Sequence, residues 1–137
     1  ISHKIGPGHN DFSELYPKYI ESSPYVRYQK PVVILTNRGC YSATNEFVSI
    51  MKYAPQVTVV GDKTGGGSGL PFSSELPNGW SVRFSASPIY NAEKEHIEFG
   101  VDPDLEVMMS EADANKKIDT IIETARTIIE ENSVVSQ

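Results

Sequence analysis

An α/β fold is what this sequence predicts, and three observations carry it. Two short apolar runs, at 31–36 and 57–61, flank a segment of helical periodicity; an Asn-Gly pair separates two extended stretches; and isoleucines recur at helical spacing near the C-terminus. Together they describe a βαβ unit, an antiparallel hairpin and a closing amphipathic helix.

Taken in order, residues 1–30 are polar, carry "GPGH" and "SSPY", and read as a loop-rich lead-in. A short helix over 12–20 is expected there, with Pro17 working against its regularity. "PVVILT", 31–36, is a continuous β-branched run bounded by Pro31 and Asn37, the pattern of a strand buried on both faces of a parallel sheet. Ala43, Phe47, Ile50, Met51 and Ala54 then recur at helical spacing as an inward stripe, and Pro55 closes the segment. "VTVVG", 57–61, supplies the second strand, so strand, helix and strand occupy about thirty residues with a right-handed crossover expected. "LPFSSEL" and "WSVRFSAS" flank "PNG", which predicts a hairpin. One long helix over 114–131 follows, with Ile118, Ile121, Ile122, Ala125, Ile128 and Ile129 on its apolar side and Ser110 and Asp113 available to cap. Residues 133–137 read as a frayed tail.

Composition removes several function classes. The 137 residues, 39% of them hydrophobic, suit a single core, so 31–132 is expected to act as one unit. Eighteen acidic side chains against twelve basic ones, with no Lys/Arg cluster, exclude a nucleic-acid footprint. The single cysteine, Cys40, has no internal partner and no Cys/His spacing around it, so neither a disulfide nor a structural zinc is expected, and no cofactor or metal is implied. The apolar runs are too short to insert in a bilayer. The chain begins at Ile1, in mid-pattern, and is expected to be a piece of something longer.

The chemistry concentrates in "NRGCYSATNEF", 37–47. Ser42 ends the connection from strand to helix, where a serine serves as an N-cap or as a nucleophile. A nucleophile there would have the Ala43 N–H beside it, backed by the helix dipole, as half of an oxyanion hole. The stretch is not G-x-S-x-G, because Gly39 lies three residues before the serine and Thr44 holds the trailing glycine position. Cys40 is the rival nucleophile, but it precedes the helix and reads as a small packing residue. The glycines at 65, 66, 67 and 69 resemble a phosphate loop whose lysine is replaced by Gly67, and no helix follows; a tight corner or a close backbone approach is the better reading.

The ordered set "VVILTNRGCYSATNEF", "VVGDKTGGGSG", "LPNG" and "IEFGVDPDLEV" resembles the tail-specific, or C-terminal processing, serine peptidases, a family that includes the tricorn core protease. The resemblance covers about 31–108 and implies a crotonase/ClpP-like α/β core. It makes Ser42 the nucleophile and the Ala43 amide an oxyanion donor. The lysine base of the bacterial processing enzymes would fall on Gly67; Lys63 lies four residues early and Lys52 is on the helix, so neither inherits the role. The resemblance therefore points to the tricorn-like branch, in which a histidine base is supported by a glutamate, here Glu98 before "GVDPD". His96 lies two residues away and would share its strand face, while His3 and His9 read as solvated loop residues. The family's histidine and its second, glycine-rich oxyanion segment lie upstream of what this chain contains. The implied function is the C-terminal portion of a serine endopeptidase acting on peptides or unfolded proteins, inactive alone, at an extracytoplasmic address. A sheet edge left open could pair between copies as a homo-oligomer. The alternative is a non-catalytic module binding peptides or apolar ligands on the same fold.

Overall fold

Parallel pairing of the two β-branched runs organises the molecule. The computed structural model describes residues 1–134. In chain order come β1 (Val32–Thr36), α1 (Ala43–Met51), β2 (Val57–Gly61), β3 (Pro71–Glu75) and β4 (Ser81–Ser85). A 3₁₀ turn (Ile97–Phe99), β5 (Leu105–Glu106), α2 (Glu111–Asn115) and α3 (Thr120–Val134) follow. β1 runs parallel to β2 with Val32 opposite Val57 and Thr36 opposite Gly61, and β5 adds to the other side of β2, Val60 opposite Leu105. The expected βαβ unit is present, and β5 extends its sheet.

Strand alternation sends successive side chains to two different layers. On one face Val57 and Val59 meet Val48 of α1, with Val32, Ile34, Met51, Ala54 and Val101 around them. On the other face α3 contacts β1 and β2, and Ile128 stands beside Val33 and Thr58. Val59 and Val60 are both 0% exposed, which makes β2 the central strand. Burial of each such valine is worth about 1.5–3 kcal/mol.

The structure corrects several expectations. β1 is not buried on both faces: it is the edge of the sheet, mostly half-buried, and Leu35 is exposed. The inward face of α1 carries Asn45, Val48 and Ser49, whereas Phe47 and Ile50 of the expected stripe are exposed. The reason is polar: Asn45 makes hydrogen bonds inside the protein, which rotates the stripe's largest members outward. No helix forms over 12–20. Phe12 bridges Lys4, and the lead-in is fastened by Ser2 N–H to the Pro88 carbonyl (3.0 Å) and Tyr16 N–H to the Ile1 carbonyl (2.8 Å). The single long helix is two helices. Ser110 caps α2 through the Asp113 N–H, Lys117 turns the chain at φ 59°, and Asp119 Oδ1 accepts the Ile121 and Ile122 N–H groups to start α3. Of the tail expected at 133–137, α3 takes in 133 and 134, and the remainder lies outside the described residues.

The predicted hairpin is β3–β4, with Phe72 opposite Phe84, ring centroids 5.6 Å apart. The turn spans more than the Asn-Gly pair, since Leu76 N–H donates to the Trp80 carbonyl (2.7 Å) and Gly79 takes φ 83°. Both strands are exposed along their length.

Asp104 ties the sheet to the end of α1. Its Oδ2 accepts the Val59 N–H (2.9 Å) and its Oδ1 lies 2.9 Å from Lys52 Nζ. Burial pushes this carboxyl up, but the Val59 N–H and the Lys52 ammonium outweigh it and hold it below the ordinary 3.8. A depressed carboxyl contributes stability that is complete above 3.8 and is lost as pH falls through the lower folded value. Asp104→Asn is therefore expected to cost about 1 kcal/mol at neutral pH, after solvent screening of the partly exposed pair. In urea titrations the gap from the wild type should close as pH is lowered well beneath 3.8.

Candidate active site

The pairing of β1 with β2 continues beyond both strands and dictates how the chain enters α1. Asn37 Oδ1 accepts the Gly39 N–H (2.7 Å), turning the chain so that Cys40, Tyr41 and Ser42 run beside 65–66. Gly65 N–H donates to the Cys40 carbonyl (2.8 Å), Tyr41 bridges Gly66 in parallel, and Ser42 N–H donates to the Gly66 carbonyl (2.7 Å). Helix α1 begins at the very next residue, so the turn is compressed into Ser42, at φ 56° and ψ −119°. A non-glycine residue in such a region stores about 1–3 kcal/mol and persists only where its surroundings over-determine it. The Ser42 hydroxyl makes no capping bond, so the strain is not offset by a cap. The side chain is half-buried at the helix mouth, Ala43 is exposed, and the Ala43 N–H has no acceptor among the described residues. Although the sequence lacks G-x-S-x-G, the turn is a strained strand-to-helix turn of the kind that presents a serine.

Two glycines bring the backbone of Glu98 to the same turn. A Cβ on Gly66, at φ 77°, would strike the Glu98 carbonyl oxygen. The Gly67 N–H donates to that same oxygen (2.9 Å). The Gly66–Gly67 pair thus holds the Ser42 backbone on one side and the Glu98 backbone on the other. Glu98 lies in the 3₁₀ turn, not in a strand. Its Oε1 is 3.5 Å from Ser85 Oγ, while Oε2 is buried with no hydrogen-bond partner among the described residues, 3.5 Å from where a Cβ on Gly69 would sit. A buried acceptor left unpaired costs about 1–3 kcal/mol and marks a group held for something other than stability.

The other sequence candidates go elsewhere. His96 precedes the 3₁₀ turn, so it does not share a strand face with Glu98, and its ring packs on Tyr90 and Phe99. His3 is not simply solvated, since its Nδ1 lies 3.1 Å from Ser87 Oγ; His9 is exposed. Lys63 pairs with Asp102 at 3.2 Å and Lys52 with Asp104. Among the described residues no group of His, Cys, Asp and Glu is placed to hold a metal ion.

Two residues had no clear signal in the sequence. Tyr41 lays its ring where a side chain on Gly67 would go, the position onto which the family's lysine falls. Asn45 is 0% exposed and joins α1 to Ser68 Oγ (2.8 Å) and to the Ile97 carbonyl (2.9 Å). One polar residue within the first turn of a helix looks like an ordinary solvated side chain.

A family model for peptidase family S41 matches residues 6–107. The chain belongs to peptidase family S41. A crystal structure from Parabacteroides merdae ATCC 43184, assigned as a peptidase, is 57% identical with a TM-score of 0.90, over 93% of this chain and 41% of that one. Mature CPAF complexed with lactacystin (23% identity, TM-score 0.64, 77% of this chain and 21% of that one) shares the fold. So does the tricorn protease (21%, 0.64, 87% and 13%). An uncharacterized protein of Chlamydia muridarum (strain MoPn / Nigg) is 30% identical over 92 residues, 64% of this chain and 15% of its own length. This S41 chain therefore spans about a seventh of that curated relative and less than half of the Parabacteroides chain.

The Tyr41–Gly67 contact yields a direct test. Gly67→Lys and Gly79→Lys both place a side chain at positive φ, but a Cβ at Gly79 has nothing within 4 Å. Thermal unfolding should show Gly67→Lys as the more destabilising by about 1–3 kcal/mol, the cost of displacing the Tyr41 ring.

Proposed function

We propose that this chain is the C-terminal portion of a serine endopeptidase on a crotonase/ClpP-like core, with Ser42 as nucleophile and Glu98 supporting a histidine base from upstream of Ile1. The observation that carries the reading is the buried Oε2 of Glu98, without a hydrogen-bond partner among the described residues, on a residue whose main-chain carbonyl is held by the same glycine pair that fixes the strained Ser42. A carboxylate in that state suits an imidazole N–H, whose tautomer it would set and whose protonated form it would stabilise. Membership of the tricorn-like branch is supported by Gly67, where a lysine would meet the Tyr41 ring.

The reaction follows from these placements. Ser42 Oγ attacks the scissile carbonyl as its proton passes to the imidazole, and the oxyanion takes the Ala43 N–H. The tetrahedral adduct collapses, the imidazolium protonates the leaving amine, and the acyl group remains on Ser42. Water, deprotonated by the same imidazole, then releases the acid and restores the hydroxyl. Substrates are peptides or unfolded proteins, and an outer edge of the β3–β4 sheet offers an extended peptide main-chain hydrogen bonds with little side-chain selection. The open edge of β1 suits pairing between copies. No helix among the described residues is long and apolar enough to cross a membrane, and an extracytoplasmic address follows from family analogy.

A fluorophosphonate probe tests the reading. The intact protein is expected to label at Ser42, Ser42→Ala to abolish labelling, and Glu98→Gln to slow it by on the order of 10³-fold. The 137-residue chain alone should stay near background. Failure of the intact protein under conditions that label a known serine hydrolase would sink the peptidase and favour a non-catalytic binding module.

A further inference from the structure

Between α1, the glycine turn and the 3₁₀ turn lies a sealed polar cluster that the proposed chemistry does not use. Asn45 and Thr64 are 0% exposed and Ser68 is 1% exposed. Asn45 Nδ2 donates to Ser68 Oγ (2.8 Å) and to the Ile97 carbonyl (2.9 Å), and Asn45 Oδ1 accepts from Thr64 Oγ1 (2.5 Å). Thr64 Oγ1 in turn accepts the Val101 N–H (2.6 Å), and Thr64 N–H donates to the Val101 carbonyl (3.1 Å). The amide's orientation is fixed by chemistry, because the Ile97 carbonyl can only accept and must face the NH₂.

What this one amide joins is specific. Asn45 lies three residues after Ser42 on α1. Thr64 and Ser68 bracket Gly66 and Gly67, whose carbonyl and N–H hold Ser42 and Glu98. Ile97 is the residue before Glu98. The three segments that carry the nucleophile, its clamp and the carboxylate are therefore registered to each other through a single side chain. A core built only for stability would be served as well by apolar residues of the same shape, since a buried polar network gains little once its desolvation is counted.

We propose that Asn45, with Thr64 as its partner, is a positioning residue that sets the geometry of Ser42 relative to Glu98; this rests on the reading of those two residues as nucleophile and supporting carboxylate. Asp is nearly isosteric with Asn but offers an oxygen where the Ile97 carbonyl needs a donor, so Asn45→Asp drives the 3₁₀ turn away from α1. Thr64→Val removes the hydroxyl at constant shape, and Thr64→Ser keeps it.

The test is amide hydrogen exchange on the intact protein, comparing the Ser42 and Gly67 N–H groups with those around Ala125 in α3, alongside the fluorophosphonate rate. Asn45→Asp and Thr64→Val are expected to speed exchange at Ser42 and Gly67 by about tenfold with α3 unchanged. Labelling should slow by about 100-fold, as a misplacement of the order of 1 Å does. Thr64→Ser should behave as the wild type. If Asn45→Asp fails to fold, the Thr64→Val and Thr64→Ser pair decides alone. Exchange that rises equally in α3, or no change at Ser42 and Gly67, overturns the proposal. A wild-type protein that does not label counts against the peptidase reading, and the exchange comparison then still judges the network.

Discussion

The hydrogen bond from Ser42 N–H to the Gly66 carbonyl, at 2.7 Å, is the constraint on which the rest of the site depends. It prolongs the β1–β2 pairing by one residue more than a relaxed entry into α1 would allow. The chain must then reverse at a single residue, and Ser42 takes a positive φ that serine seldom adopts. The stored strain of about 1–3 kcal/mol is balanced on both sides. The Cys40 and Ser42 hydrogen bonds hold the approach, and Val48 anchors the departing helix on Val57 and Val59. A serine in this position is presented because the fold leaves it nowhere else to go.

The same glycine turn explains how the Glu98 backbone comes to pack beside the turn that holds Ser42. At Gly66 the Glu98 carbonyl occupies the space of a side chain, and at Gly67 the Tyr41 ring does. These two omissions let three segments, distant in sequence, close to backbone contact. They also give the loop a meaning unrelated to phosphate binding, since its N–H at Gly67 is spent on Glu98. Cohesion comes from neutral hydrogen bonds in a sealed interior, while the cationic groups of Lys52 and Lys63 are paired with carboxylates of the 102–104 segment.

Much of the architecture was legible in the sequence. β-branched runs gave β1 and β2, Asn78-Gly79 gave the β3–β4 hairpin, and the order of the motifs gave family S41. Strand order, which hydropathy does not encode, put β1 at the sheet edge, and three other errors each turned on a hydrogen bond equally invisible to it. Asn45 took the interior from Phe47 and Ile50, Asp119 started a helix inside an uninterrupted apolar pattern, and the bridge at Phe12 replaced a helical turn. For the site, the sequence pointed to Ser42, Ala43 and Glu98 through likeness of motif. The positive φ of Ser42 and the Glu98 oxygen left without a partner among the described residues arise from three-dimensional closure and have no one-dimensional signature.

The central claim is that Glu98 is held ready for an imidazole that also serves the strained Ser42. A crystal structure of the intact protein measures this most directly. The account predicts a histidine ring nitrogen from upstream of Ile1 at about 2.6–3.2 Å from Glu98 Oε2, with its other nitrogen facing Ser42 Oγ. An Oε2 enclosed by apolar side chains, or a Ser42 relaxed to negative φ with its hydroxyl capping α1, would contradict it.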